Sequence, residues 1–245
     1  MVQSAPVWII LAEETVSHPT SSSQKQVAAA LAAAPLFADL SPPLLTALAT
    51  IAVRAHYGPQ QVVFLAGASD EHLYVIAHGW LKSVKIAAGG REQTLALFGP
   101  GEVFNLAVLA DVPTQATVIA LEPTTLWGIP RARLHELMAI HPELAQALIR
   151  SLATRVIRLS DLVEDLALRS VEARLARLLL QRAVGGEILR QPWATQAEFA
   201  TQLGTVPDVL NRALQTLVTA GIIVVERQCI RVIDQAGLEL RAQIT

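Results

Sequence analysis

Residues 194–218 read ATQAEFATQLGTVPDVLNRALQTLV, and their spacing predicts two helices joined by a sharp turn. Thr195 is placed to cap the first helix, and Glu198 three residues later completes a capping box. Phe199 and Leu203 face inward. Gly204 ends the helix, where a left-handed residue is wanted and a side chain would strain. Thr205 is expected to cap the second helix, and Pro207 falls in its first turn, where a missing N–H does no harm. Val209, Leu210, Ala213, Leu214, Leu217 and Val218 form that helix's apolar stripe. Two such helices around a glycine turn make a helix-turn-helix.

In this motif the first turn and a half of the second helix enters the DNA major groove. The non-core residues there are Pro207, Asp208, Asn211 and Arg212. Arg offers a fork to guanine, a carboxylate accepts from cytosine, and Asn binds adenine or a phosphate. Asp208 and Arg212, four residues apart, could instead be an ordinary surface salt bridge. The turn, the cap and the following IIVV and CIRV runs, a β wing, favour DNA. Thr195, Gln196 and Thr205, near helix N-termini, are candidate phosphate contacts.

Upstream, Ile149, Leu152, Val156, Leu159, Val163 and Leu166 recur at spacings of 3, 4, 3, 4 and 3. That is a heptad seam, the pattern of a helix that pairs with a second copy. The alternative is packing on its own domain. Between residues 53 and 130 the texture is different: QVVFLAG, HLYVIAHG, WLKSVKIAAGG, REQTLALFGPGE, QATVIALEPT and TLWGIP are short, β-branched and punctuated by Gly, Pro or Asp. This predicts a small antiparallel barrel. LSPPLLTALATIAV is expected to form a short helix capped by Ser41, and VAAALAAAPLF another, running up to Pro35. Residues 16–24 read as a linker, and APVWIILA before it as a strand or helix that packs on the barrel. APVWIILA is short and no Lys or Arg precedes it, so it makes a poor signal peptide.

The chain of 245 residues is 52% hydrophobic and 16% charged, enough to bury a core in two domains. Residues 1–167 hold 10 Lys and Arg against 14 Asp and Glu, and residues 168–245 hold 9 against 7. A basic C-terminal part has the sign expected of the part that meets nucleic acid. The single cysteine, Cys229, excludes an intramolecular disulfide, a cysteine-based zinc site and a four-cysteine iron–sulfur cluster. No apolar run approaches the roughly 18 residues of a membrane span. The expectation is a cytoplasmic protein of α+β class with no membrane partner. It has an N-terminal antiparallel barrel of jelly-roll type with flanking helices, a long dimerisation helix and a C-terminal winged helix-turn-helix. The expected divisions are an extension and linker at 1–26, an effector-sensing barrel at 27–140, the dimer helix at 141–167 and the DNA-binding domain at 168–245, with a hinge at Leu168-Arg169-Ser170.

The order of barrel, long helix and winged helix-turn-helix resembles the CRP/FNR family of bacterial transcription regulators. The resemblance is most specific in EFATQLGTVPDVLNRALQTLVTAGII, where Asp208 stands at the family's acidic position, Asn211 at its small polar one and Arg212 at its arginine. It implies a homodimer on double-stranded DNA with a palindromic operator, and a surface for RNA polymerase. Relatives that bind cyclic AMP carry a Glu and an Arg-Ser pair after their GE[VF] loop. In PGEVFNLAVLADVPTQATVIA those places fall on Leu106 and on Thr114-Gln115. From Glu102 to Ile129 the ionisable residues are Glu102, Asp111 and Glu122, so no cation is there to neutralise a buried phosphate. This argues against cyclic-nucleotide binding by the usual mode. Candidate effector contacts are Asn105, Leu106, Thr114, Gln115, Leu159 and Ser160. Haem is an alternative cofactor, with His56, His72 or His78 as axial ligand. A cupin-like metalloenzyme is disfavoured, since no H-x-H pair occurs and the C-terminal third is left without a role.

Overall fold

The computed structural model describes residues 21–87, 89–90, 92–189 and 191–243, so APVWIILA lies outside the described residues. Contacts divide the chain into two units, one of Met1–Lys85 with Leu95–Val156 and one of Ile86–Thr94 with Ile157–Thr245. The division falls inside the long helix, earlier than the sequence boundary at 167/168.

The first unit opens with α1 (Ser21–Ala32) and α2 (Pro42–Ile51). Helix α1 begins inside the segment read as a linker. Gln24 and Lys25 are good helix formers, and Val27 and Leu31, fully buried, anchor the helix. Ser41 does precede α2, but its hydroxyl donates to Glu143 Oε1 at 2.7 Å rather than capping. Eight strands follow: β1 (Val53–Tyr57), β2 (Val62–Phe64), β3 (His72–His78), β4 (Leu81–Ile86), β5 (Glu92–Phe98), β6 (Val103–Phe104), β7 (Thr117–Ala120) and β8 (Thr124–Pro130). They form two four-stranded sheets, ordered β1-β8-β3-β6 and β2-β7-β4-β5.

Alternation explains how both faces of the first sheet are used. Along β3, Tyr74 and Ile76 point between the sheets, while Leu73 and Val75 point at the helices. Phe64, Phe98, Phe104, Leu126 and Val118 complete the layer between the sheets. On the other side, Leu73, Val75, Trp127 and Ile129 pack against α1, α2, α3 (Arg131–Ile140) and the first turns of α4 (Pro142–Leu168).

The second unit holds the rest of α4, then α5 (Val171–Arg182), β9 (Glu187–Leu189), α6 (Gln196–Gln202), α7 (Pro207–Thr219), β10 (Ile223–Val225), β11 (Cys229–Val232) and α8 (Gln235–Ala242). Its sheet is ordered β10-β11-β9. Leu175 and Leu179 of α5, Ala200 and Leu203 at α6, Leu210, Leu214 and Leu217 of α7, and Ile230 and Leu238 form one core.

Candidate nucleic-acid interface

The predicted pair of helices is α6 and α7. Thr195 caps α6, its hydroxyl accepting from the Glu198 amide at 3.2 Å. Gly204 closes α6 with φ 64°. The Gly204 amide donates to Thr201 and the Thr205 amide to Ala200, at 3.2 and 3.0 Å, which is the Schellman pattern. A Cβ on Gly204 would come within 2.7 Å of Leu166 Cδ2, so the site lacks room as well as tolerance for the handedness.

The expected cap at Thr205 is corrected. The residue before α7 is Val206, extended at φ −109° and ψ 156°, and no side chain caps this helix. The reason is Pro207: a proline at the first helical position pushes the residue before it out of helical geometry. Thr205 therefore belongs to the end of α6. Asp208 falls in the first turn of α7, where the N-terminal dipole favours a carboxylate.

Pro207, Asp208, Asn211 and Arg212 are all exposed, opposite the buried Leu210, Ala213, Leu214 and Leu217. Asp208 and Arg212 make no ion pair with each other, so the ordinary salt bridge is not formed. Asn211 Nδ2 donates to Gln196 Oε1 at 3.4 Å, bringing the start of α6 beside the exposed face of α7. Gln215 continues that face one turn on, and Arg227 is exposed in the turn between β10 and β11. The sequence reading missed both; the four-residue step from Asn211 points to the first, and the break between IIVV and CIRV to the second.

The joint between α4 and α5 is heavily cross-linked. Ser170 caps α5 by accepting from the Ala173 amide at 3.2 Å. Arg169 meets Glu164 at 2.7 Å and Asp165 at 2.9 Å, and donates to the Ala242 carbonyl at 2.8 Å. Arg177 meets Asp165 at 3.2 Å, and Arg174 donates to the Asp165 and Arg169 carbonyls.

On α4 the heptad positions are exposed: Ile149 64%, Leu152 38%, Val156 63%, Leu159 44%, Val163 66% and Leu166 39%. The buried residues of this helix are Leu144, Ala147 and Leu148. The stripe is thus left largely exposed, although Leu166 reaches Gly204.

Among the candidate effector residues of the first unit, Asn105, Leu106 and Thr114 are engaged within it. Leu106 is buried in the helical core. Asn105, left-handed at φ 62°, donates to the His72 carbonyl at 2.8 Å, next to Asp70 and the Tyr74 hydroxyl. Thr114 donates to the Leu65 carbonyl at 2.6 Å. Gln115, Leu159 and Ser160 are exposed. Between the sheets, Tyr74 stacks on Phe104 at 5.1 Å and Phe98 on Phe104 at 5.6 Å, with Phe64 beside them at 6.1 Å. Among the histidines, His56 Nδ1 lies 3.0 Å from Thr125 Oγ1, and burial with nearby Arg54 pushes the imidazole below its ordinary pKa. His78 pairs with the same Thr125 from the other side of β8, while His72 lies 3.7 Å from Asp70. Among the described residues no three His, Cys, Asp or Glu are grouped to hold a metal ion, and no helix is long and apolar enough to cross a membrane.

Comparison with known proteins matches both halves. Residues 54–141 match the cyclic nucleotide-binding domain, and residues 173–241 the Crp-like helix-turn-helix domain. The chain is 30% identical to the cyclic AMP receptor protein of Thermus thermophilus over 84% of this chain and 95% of that one. It is 28% identical to the CRP-like cAMP-activated global transcriptional regulator of Mycobacterium tuberculosis over 87% and 98%. Its fold is similar to that of FixK2 from Bradyrhizobium japonicum, with a TM-score of 0.71 at 22% identity over 80% of this chain and 99% of that one.

Proposed function

Since this chain belongs to the CRP/FNR family of transcription regulators, we propose that it acts as a homodimer on a palindromic operator, with a signal other than cyclic AMP bound in the usual mode. That it is a DNA-binding transcription regulator follows from the family itself. The observation that carries the finer reading is the exposed ridge Asp208–Asn211–Arg212 at the start of α7, with Asp208 and Arg212 not paired to each other, on a chain whose long helix leaves a heptad seam largely exposed. In the dimer the seams of two α4 helices cover each other. The two α7 helices then enter successive major grooves, about 34 Å apart. Asp208, Asn211 and Arg212 read base edges. Thr195, Gln196 and Thr205 lie where the backbone passes, and Pro207 sets the start of the helix. The proposed divisions are the barrel at 27–140 behind an extension at 1–26, the dimer helix at 141–167 and the DNA-binding domain at 168–245. We assign no catalytic step to the chain, and place its work in the cytoplasm with RNA polymerase as a further partner.

The two relatives are named for cyclic AMP, and three observations support a different mode for this chain. The stretch Glu102–Ile129 supplies acids and no cation. Leu106 and Thr114 are engaged in the core and in backbone hydrogen bonds. The rings of Tyr74, Phe98 and Phe104 stack on one another in the layer between the sheets. An uncompensated phosphate there would be strongly disfavoured. The test is a selection of duplexes from a random-sequence library with purified full-length protein. Wild-type protein enriches a palindrome, and Arg212→Ala loses the preference at one base pair of each half-site. Retention of the same preference by Arg212→Ala would falsify the assignment of α7. Calorimetric titration with cyclic AMP is expected to give no heat of binding. The absorption spectrum of the purified protein decides on haem by the presence or absence of a Soret band.

A further inference from the structure

The arginines of the C-terminal unit have mostly found partners inside it. Residues 157–245 carry ten arginines, no lysine and ten acidic residues, a net charge of zero. The excess of basic residues read from 168 onward disappears once Asp161, Glu164 and Asp165, which close on this unit's arginines, are included. Six of the ten are engaged within the unit. Arg169 and Arg177 close on Glu164, Asp165 and Asp161. Arg231 lies 3.1 Å from Glu187 and 2.9 Å from Glu226, and these two acids hold its guanidinium above the ordinary arginine pKa. Arg241 meets Glu172 at 2.7 Å. Arg182, half-buried, donates to Gln202 Oε1 at 2.7 Å, and Arg174 donates to two backbone carbonyls. Arg158 belongs to the long helix, and Arg190 lies outside the described residues. Arg212 on α7 and Arg227 at the wing turn, both exposed, have no ion pair among the described residues.

Affinity for a polyanion through charge grows with the number of cations that reach its phosphates and displace condensed counterions. A guanidinium closed on a carboxylate, or held within the unit by a glutamine or backbone carbonyls as Arg182 and Arg174 are, is not among them. We infer that this regulator holds its operator chiefly through base edges, neutral side chains and backbone amides, with only about two arginines per protomer set against the DNA charge. This rests on the DNA-binding reading above and deepens it. Weak non-specific binding follows, because that binding is almost wholly electrostatic. So does a shallow salt dependence. Four cations per dimer give a slope of log K on log salt of about −3.6, a loss of about 150-fold between 50 and 200 mM salt. A third cation per protomer at Arg190 brings the slope to about −5.4. Were all ten arginines engaged with phosphate, it would be about −18.

The experiment is fluorescence anisotropy with the full-length protein on two duplexes of equal length. One is the palindrome enriched from the random library, and the other is its scrambled sequence. The expected slope on the palindrome lies between about −3.6 and −5.4, and the scrambled duplex binds at least about 10³-fold more weakly. The double variant Glu187→Gln with Glu226→Gln releases Arg231, steepens the slope by about 1.8 and tightens binding to the scrambled duplex. A wild-type slope steeper than about −7, or a double variant with an unchanged slope, overturns the inference while leaving the DNA-binding reading intact. Enrichment of no sequence at all overturns both.

Discussion

Val156→Glu is the most direct probe of the dimer. Val156 sits at the middle of the seam and is 63% exposed in the protomer. As a surface change it alters the folding of one protomer by no more than about 0.5 kcal/mol. In the proposed dimer the same position is covered. Each protomer then loses about 1 kcal/mol of burial, since roughly half of a valine side chain is hidden by pairing. Each introduced carboxylate also costs about 2 kcal/mol to desolvate without a partner. The nearest basic neighbour in sequence, Arg155, is turned over the Phe98 ring, 4.9 Å from its centroid. Two protomers together give about 6 kcal/mol, or about 10⁴-fold in the dimer dissociation constant. Sedimentation velocity reads this directly, because the protomer mass is 26.3 kDa. The wild type is expected to sediment as a dimer at about 10 μM and Val156→Glu as a folded monomer with an unchanged circular dichroism spectrum. Ile157→Glu is the control: Ile157 is equally exposed at 63% but lies off the seam. A dimeric Val156→Glu protein, or equal dissociation by Ile157→Glu, would refute the reasoning.

Three further expectations concern the joint, the turn and the barrel. Asp165→Asn removes the charge that Arg169 and Arg177 share, which is expected to cost the C-terminal unit about 1.5–3 kcal/mol and to speed tryptic cleavage at Arg169, read by urea unfolding and timed digestion. Gly204→Ala adds a left-handed alanine and a contact with Leu166, so the urea midpoint of this unit should fall by the equivalent of about 2 kcal/mol or more; an unchanged midpoint would show that the turn is not under this constraint. In the folded chain the His56 imidazole is held below the ordinary histidine pKa of 6.5, so the unfolded chain binds more protons just below pH 6.5. The stability it contributes is therefore complete above that pH and declines as pH falls from 6.5 toward the folded pKa; an NMR titration midpoint at or above 6.5 contradicts this, and His56→Gln should flatten the decline.

The features legible in the sequence are those decided within one or two turns of chain. Thr195, Gly204 and Pro207 each impose a local backbone state, so α6, its turn and α7 are visible without knowing what they pack on. The seam of α4 is legible for the same reason, because its periodicity is written along one helix. The error at Thr205 is also local. Two competing rules met there, a threonine that caps and a proline that forces its predecessor to be extended, and the steric rule won because it cannot be relieved by a side-chain rotation.

The sequence by itself determined the order of the parts, the helix-turn-helix and the residues α7 presents, since these follow from propensity and periodicity over short spans. Only the tertiary structure decided which charges are left to meet DNA. Arg231 is neutralised by Glu187, forty-four residues away, and Arg241 by Glu172, sixty-nine away. Leu106 likewise enters the core through helices that begin far upstream. Charge counts add along the chain, but the field outside the protein depends on which opposite charges lie within a few ångströms, and folding alone sets those distances.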